Sequence, residues 1–213
     1  MSRHPSLLLF IVISLLSIAL SYLTEQIILT REFFDSFFDD KLSAPPVEEI
    51  IAFRAKWRWV GFLIIPLVIF FKTFLISFCM WIGLFLRGLN ASIETLSQVT
   101  LKAEVAHLAS PLWTLIWFGV IHTNPDPLEV QNFYPLSLAS ALSLERAELW
   151  IRYPLSVLNI FELIYVLVLS FILSDTLDGD FGRYRVALAV VLSTYGAGLF
   201  FWILLAAFFF VSL

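Results

Sequence analysis

Two polar side chains lie within an otherwise apolar stretch of the sequence, at residues 154–173. Glu162 follows Asn159 by three positions, so both residues lie on one face if the stretch is helical. A carboxylate among apolar neighbours is costly, and it usually faces other protein or a water-filled cavity. The pair could therefore line one polar site. A structural hydrogen bond between helices, or a protonated Glu162, would explain the same residues.

A second pair, Glu104 and His107, has the same three-residue spacing within residues 99–122. Helix bundles hold metals with such pairs contributed by several helices. The sequence offers no matching pair, because the other two histidines, His4 and His122, are dispersed. We therefore expect no metal and no cofactor. A proton relay and a plain polar contact between helices both remain open.

Known catalytic and nucleotide-binding signatures do not occur in the sequence, including G-x-S-x-G, the Walker loop and H-E-x-x-H. The single cysteine, Cys79, cannot form an intrachain disulfide. The sequence therefore predicts a protein that is not an enzyme.

The composition identifies the environment in which these polar residues must lie. Hydrophobic residues make up 60% of the chain and charged residues only 14%, with a mean hydropathy of +0.92. Soluble domains are about 45–50% apolar and about 25% charged. A chain of 213 residues has no interior large enough for this excess, so the excess must face lipid. The net charge of −4 also disfavours nucleic acid as a partner.

Five apolar segments approach the length needed to cross about 30 Å of hydrocarbon. They are residues 7–23, 59–86, 99–122, 154–173 and 186–213. We therefore predict an all-α membrane bundle of about five spans, forming one domain over 1–213. Residues 31–41 and 136–150 have the spacing of short amphipathic helices on the membrane surface. The third segment is the least hydrophobic, and a re-entrant or interfacial helix is its alternative.

The start of the second span is marked by residues that anchor helices at a membrane interface. These alternating basic and aromatic residues are Arg54, Lys56, Trp57, Arg58 and Trp59. Lys72 lies deeper in the same span, where it could extend its stem towards the interface or pair within the bundle. Basic residues are spread over the loops of both sides, so the positive-inside rule gives no orientation.

The order of these features resembles a known family. The run FLRGLNAS at 85–92 leads into a half-polar helix, and PLSVLNIFELIY at 154–165 opens the penultimate span. This layout, which covers residue 47 to the C-terminus, resembles the bacterial branch of the Yip (Ypt/Rab-interacting protein) integral membrane family. Its most specific piece is NIFE at 159–162. The motif that eukaryotic relatives carry, Asp-Leu-Tyr-Gly-Pro, has no clear counterpart here, so binding to a small GTPase is not predicted.

The resemblance implies five spans, a bacterial inner membrane, a cytoplasmic N-terminus and no enzymatic activity. Together with the residues, it favours a scaffold, assembly or accessory subunit, whose partners are the lipid bilayer and other membrane subunits or further copies of the chain. The alternative is a small transporter or channel-like protein. Its path would be lined by the third and fourth spans through Glu104, His107, Asn159 and Glu162.

Overall fold

A computed structural model describes residues 5–30, 33–34, 47–123, 125–144, 147–177 and 182–211. These residues are predominantly helical, and they include no β-strand. One isolated antiparallel bridge joins Ser137 to Asn159. The predicted all-α fold is therefore confirmed.

Four helical segments within the described residues are long and apolar enough to cross a membrane, which identifies an integral membrane protein. The first two are α1, Pro5–Ile28, and α2, Val47–Phe85. With 39 residues, α2 is about 58 Å long. Since this exceeds the thickness of about 30 Å of hydrocarbon, its polar first turns extend beyond the apolar part.

The third span is helical throughout Ile93–Ile121, but its helix type changes along its length. It consists of α3 (Ile93–Ala103), a 3₁₀ segment (Glu104–Leu108), α4 (Ala109–Ile116) and a π-helical segment (Trp117–Ile121). Its length favours a full crossing over a re-entrant loop. Two short helices follow, α5 (Pro127–Gln131) and α6 (Leu138–Ala141).

The predicted fourth span, 154–173, is not one continuous helix. The chain forms α7 (Leu149–Val157), breaks at Leu158 and Asn159, and continues as α8 (Ile160–Thr176). The last span contains α9 (Gly182–Val191), a π-helical segment (Leu192–Gly196) and α10 (Ala197–Val211). Since α8 packs against α9 and α7 against α10, the broken helix runs alongside the whole last span.

The surface helix predicted at 136–150 is corrected by the structure. Leu136 and Ser143 both adopt positive φ, near 52° and 53°, which ends any continuous helix. Instead, residues 136–138 pair with the break in the fourth span. Leu138 N donates to Leu158 O at 3.0 Å, and Ile160 N donates to Leu136 O at 3.1 Å. These bonds satisfy backbone groups that the helix break would otherwise leave without partners.

The main core lies among α2, α3, α8 and α9. Its fully buried members include Met80, Leu96, Leu169 and Val190. At Gly83 the helices approach so closely that an added Cβ would collide with the Thr194 side chain of the last span. This core holds together the four spans to which the polar side chains described below belong.

The predicted interface anchors also join α1 to α2. Glu25, near the end of α1, accepts contacts at 3.2 Å from the guanidinium groups of both Arg54 and Arg58. Trp57 and Trp59 stack on each other, with ring centroids 6.5 Å apart. The surface helix predicted at 31–41 lies outside the described residues, apart from residues 33–34, which are helical.

A charged network inside the helix bundle

Polar side chains from four spans meet inside the bundle. Lys72 Nζ donates to Glu104 Oε1 at 2.9 Å and lies 3.3 Å from Nδ1 of His107. The other ring nitrogen, His107 Nε2, lies 3.4 Å from Glu162 Oε2. The Tyr195 hydroxyl donates a hydrogen bond to Glu162 Oε1. We call these five residues, Lys72, Glu104, His107, Glu162 and Tyr195, the intramembrane network.

The local helix type explains why Glu104 and His107 reach the same partners. Glu104 is the first residue and His107 the last but one of the 3₁₀ segment, Glu104–Leu108. A 3₁₀ helix has three residues per turn, so side chains three positions apart are eclipsed. His107 Nδ1 accordingly lies 3.7 Å from Glu104 Oε2. The irregular turn therefore aims a carboxylate and an imidazole at the same lysine.

Glu162 owes its position to the break in the fourth span. Asn159 caps α8, since its Oδ1 accepts a hydrogen bond from Glu162 N at 2.9 Å. The Asn159 amide also donates to Ser156 O and Val157 O on the other side of the break. Asn159 thus stabilises the break through backbone contacts, and it does not share a side-chain site with Glu162 as the helical spacing predicted.

The aromatic ring of Tyr165 packs beside the network. Its ring centroid lies 4.0 Å from that of His107, and Lys72 Nζ lies 5.2 Å from its centre. The ring of Tyr195 packs edge-on against it at 5.3 Å. The Tyr165 hydroxyl is fully buried and finds no hydrogen-bond partner among the described residues, and the same holds for Glu104 Oε2. Glu104 of the network and the neighbouring Tyr165 therefore each retain a polar atom able to accept a further hydrogen bond.

The network lies near the middle of the spans. Lys72 is halfway between Trp59 and Phe85 on α2, and His107 is halfway along Ile93–Ile121. Tyr195 is close to the middle of the last span, on its π-helical segment. Among Lys72, Glu104, His107 and Glu162, the side chain of Glu104 is the most buried, at 7% exposed, and that of Lys72 the least, at 30%.

The assignment of hydrogen-bond donors and acceptors gives the network a net charge of −1. An ammonium group can only donate, so Nδ1 of His107 accepts from Lys72, and Nε2–H donates to Glu162. In this tautomer His107 is neutral, and one ammonium faces two carboxylates. A buried uncompensated charge is costly. One more proton, on His107 or on a carboxylate, would make the network neutral.

Of the five network residues, the sequence singled out three as a candidate site, left two alternatives for Lys72, and gave no indication of the fifth. Glu104, His107 and Glu162 come together as predicted candidates, and Lys72 pairs within the bundle rather than extending to the interface. Tyr195 was not predicted. A tyrosine hydroxyl in an apolar span requires a polar partner, and that requirement is the signal that could have identified it.

Within the described residues, no group of three or more His, Cys, Asp or Glu side chains is arranged to hold a metal ion. Comparisons with known protein families, with curated proteins and with solved structures gave no match. The function must therefore be argued from the geometry of the network.

Proposed function

We propose that this chain is a small membrane transporter whose cycle is coupled to proton binding at the intramembrane network. The observation that carries the proposal is the unbroken series of contacts from Glu104 through Lys72 and His107 to Glu162. Ionisable groups inside membrane bundles are rare, and they mark proton relays and substrate paths. Secondary transporters place such sites near the midplane, at discontinuous helices.

Proton binding to His107 would rearrange the contacts of the network. The added proton makes Nδ1 a donor, which no longer accepts from the Lys72 ammonium. Glu104 Oε2, at 3.7 Å, is then the nearest acceptor for Nδ1–H. The imidazolium also strengthens the attraction to Glu162. One added proton thus weakens the contact of His107 with Lys72 on α2. It strengthens the contacts of His107 with Glu104 and with Glu162 on α8.

The spans that carry the network are irregular at or next to the network residues. Glu104 and His107 lie on the 3₁₀ segment, Tyr195 lies on a π-helical segment, and Glu162 follows the break before α8. Irregular turns of this kind occur at functional hinges and sites in helices. Rotation of α8 against α9 about the break would alter access to the network from either side.

Transport can be tested in proteoliposomes that contain a pH-sensitive dye. A panel of amines, amino acids, sugars and divalent cations is added outside, and the internal pH is followed. We expect at least one class to drive proton movement, and we expect Glu162→Gln to reduce the rate at least tenfold with unchanged expression. The matched control is Glu94→Gln, the same change at an exposed acid in the first turn of α3.

Proton binding itself provides a second readout. Infrared difference spectra between acidic and neutral pH should contain a band from the group that binds the proton. This is an imidazole band that His107→Gln removes, or a carboxyl band that Glu162→Gln or Glu104→Gln removes. The proposal is wrong if the wild-type protein moves no protons with any compound and shows no such band. Full transport activity in Glu162→Gln would also contradict it.

A scaffold or assembly subunit is the second candidate function. An exposed aromatic ladder on α2 favours it, because Phe74, Phe78, Trp81 and Phe85 stack in succession at 6.0–6.3 Å. Such a ridge could pack laterally against another membrane subunit or a second copy. Extraction in mild detergent should then recover a stoichiometric complex, and Phe78→Leu with Trp81→Leu should dissociate it. Recovery of a monodisperse monomer would argue against this role.

The proposed localisation rests on the family resemblance. The resemblance to the bacterial Yip branch favours the inner membrane, with a cytoplasmic N-terminus, and it remains a prediction. Under this orientation the loop after α2 and the loop between α8 and α9 face the cytoplasm. We propose no catalytic activity for the chain.

A further inference from the structure

A second polar feature, separate from the network, lies at the far end of the third span. An open cleft of about 670 Å³ is formed where the π-helical segment meets α5 and the residues that follow it. Small-molecule sites are commonly about 300–1,000 Å³, with mostly apolar walls and a few polar groups. The size and position of this cleft therefore suit a ligand at the membrane surface.

Aromatic rings form much of the wall of the cleft. Trp117 stacks on Phe133 with centroids 5.9 Å apart, and Phe118 meets the same ring edge-on at 4.6 Å. Tyr134 lines the cleft beside them. The stacked faces of Trp117 and Phe133 cover each other, whereas the ring of Tyr134 already attracts a cation, because the Arg152 guanidinium lies 5.9 Å from its centroid. Trp and Tyr also favour the headgroup level of a membrane.

A carboxylate completes the cleft. Glu129 Oε2 lies 2.9 Å from His122 Nε2 and accepts a hydrogen bond from Asp126 N at 3.2 Å. The hydrogen bond from His122 lowers the pKa of the Glu129 carboxyl below its usual range, so this group is ionised at neutral pH. More than half of the Glu129 side chain is nevertheless exposed, which leaves it accessible to a ligand.

We propose that this cleft binds an ammonium group, with Glu129 as the counter-ion and the aromatic wall as the packing surface. Either a zwitterionic phospholipid headgroup or a soluble amine could carry the group. Lipid is the nearer source, because the third span ends at Ile121, directly before His122. Since the cleft shares no residue with the intramembrane network, this proposal does not depend on the transporter proposal.

The test uses the full chain reconstituted in mixed phosphatidylethanolamine and phosphatidylglycerol. Lipids that remain bound after extraction are counted by native mass spectrometry. In an equimolar mixture, we expect bound phosphatidylethanolamine to exceed bound phosphatidylglycerol at least fivefold, and Glu129→Gln to abolish this enrichment. Glutamine suits the third position of α5 in a capping box, so this variant removes the charge and keeps the helix start. Glu94→Gln is the control with the same charge change elsewhere.

A second arm distinguishes the two sources. Binding of phosphoethanolamine and of tetramethylammonium to the detergent-solubilised protein is measured by calorimetry. Binding that Glu129→Gln weakens at least tenfold, without lipid enrichment, supports the ammonium site and assigns it to a soluble amine. Lipid enrichment without soluble binding supports the site and assigns it to the membrane. Neither signal, or equal signals in wild type and Glu129→Gln, would overturn the proposal.

Discussion

Lys72 illustrates how a full charge is accommodated in the middle of an apolar helix. Its ammonium group has a carboxylate oxygen at 2.9 Å, an imidazole nitrogen at 3.3 Å and the ring of Tyr165 below it. Each contact replaces part of the hydration that the group loses. A buried pair of this kind is not necessarily stabilising, since desolvation can exceed the Coulombic gain. Its value to the protein is therefore better sought in function than in stability.

This reasoning makes a prediction about single and paired substitutions. Lys72→Met leaves the Glu104 carboxylate buried without its cation, and we expect it to destabilise the protein by about 2 kcal/mol. This figure is below the range of about 3–5 kcal/mol for fully buried pairs, because the Lys72 side chain keeps 30% exposure. The double variant Lys72→Met/Glu104→Gln should recover most of the loss, since it also removes the carboxylate that lost its cation and restores the net charge of the wild-type network.

Thermal unfolding in detergent, followed by tryptophan fluorescence, measures both variants. Under the transporter proposal the stable double variant should remain inactive in the proteoliposome assay. A double variant that unfolds as early as Lys72→Met would show that Glu104 is not the group that Lys72 neutralises.

At this scale, sequence identifies the type of residue more readily than its partner. Glu104, His107 and Glu162 are evident because ionisable groups are rare in apolar segments. Their partner Tyr195 is not, because the pairing depends on how the last span packs against α8. Asn159 was placed with Glu162 by helical spacing, but the chain is not yet helical at Asn159.

At the scale of elements, the break between α7 and α8 determines where Glu162 can lie. Hydropathy over 154–173 is continuous, so a window average predicts one helix and hides the interruption. The break is stabilised by the Asn159 cap and by backbone bonds from residues 136–138, which are distant in sequence. The cap alone has a sequence signature, namely Asn three positions before Glu. The long-range pairing has none.

Removal of the cap should loosen the break. We expect Asn159→Ala to cost about 1 kcal/mol, as for other N-caps, because Glu162 N and two carbonyl groups lose their partner. Hydrogen exchange should accelerate at 136–138 and 158–163. Asn159→Asp retains the acceptor and should be intermediate.

A matched cap elsewhere serves as the control for this prediction. Ser92 caps α3 by accepting from Thr95 N at 3.0 Å, at an exposed position. Ser92→Ala should accelerate exchange only at the start of α3. Equal exchange at 158–163 in Asn159→Ala and wild type would show that the cap does not hold the break.

At the scale of the whole molecule, the number of crossings depends on the broken helix. In the part of the chain that the structure describes, four continuous segments are long enough to span, whereas α8 alone has 17 residues, about 26 Å. Together α7 and α8 follow the entire last span, α7 beside α10 and α8 beside α9. Composition and segment length were therefore enough to predict the membrane bundle. They also predicted a fifth crossing at 154–173, which in the structure would require α7 and α8 to cross together beside the last span.

Cysteine labelling tests this fifth crossing directly. If α7 and α8 cross the bilayer together, the exposed positions Leu142 and Asp175 lie on opposite sides, and Glu94 lies on the side of Asp175. Single-cysteine variants at these positions in a Cys79→Ser background are treated with a membrane-impermeant maleimide, in intact cells and in inverted vesicles. We expect Leu142→Cys to label in one preparation, and Asp175→Cys and Glu94→Cys in the other.

Labelling of Leu142→Cys and Asp175→Cys from the same side would reduce the bundle to four crossings. The break would then lie at a membrane surface, where Glu162 could be hydrated without the partners that the transporter proposal requires.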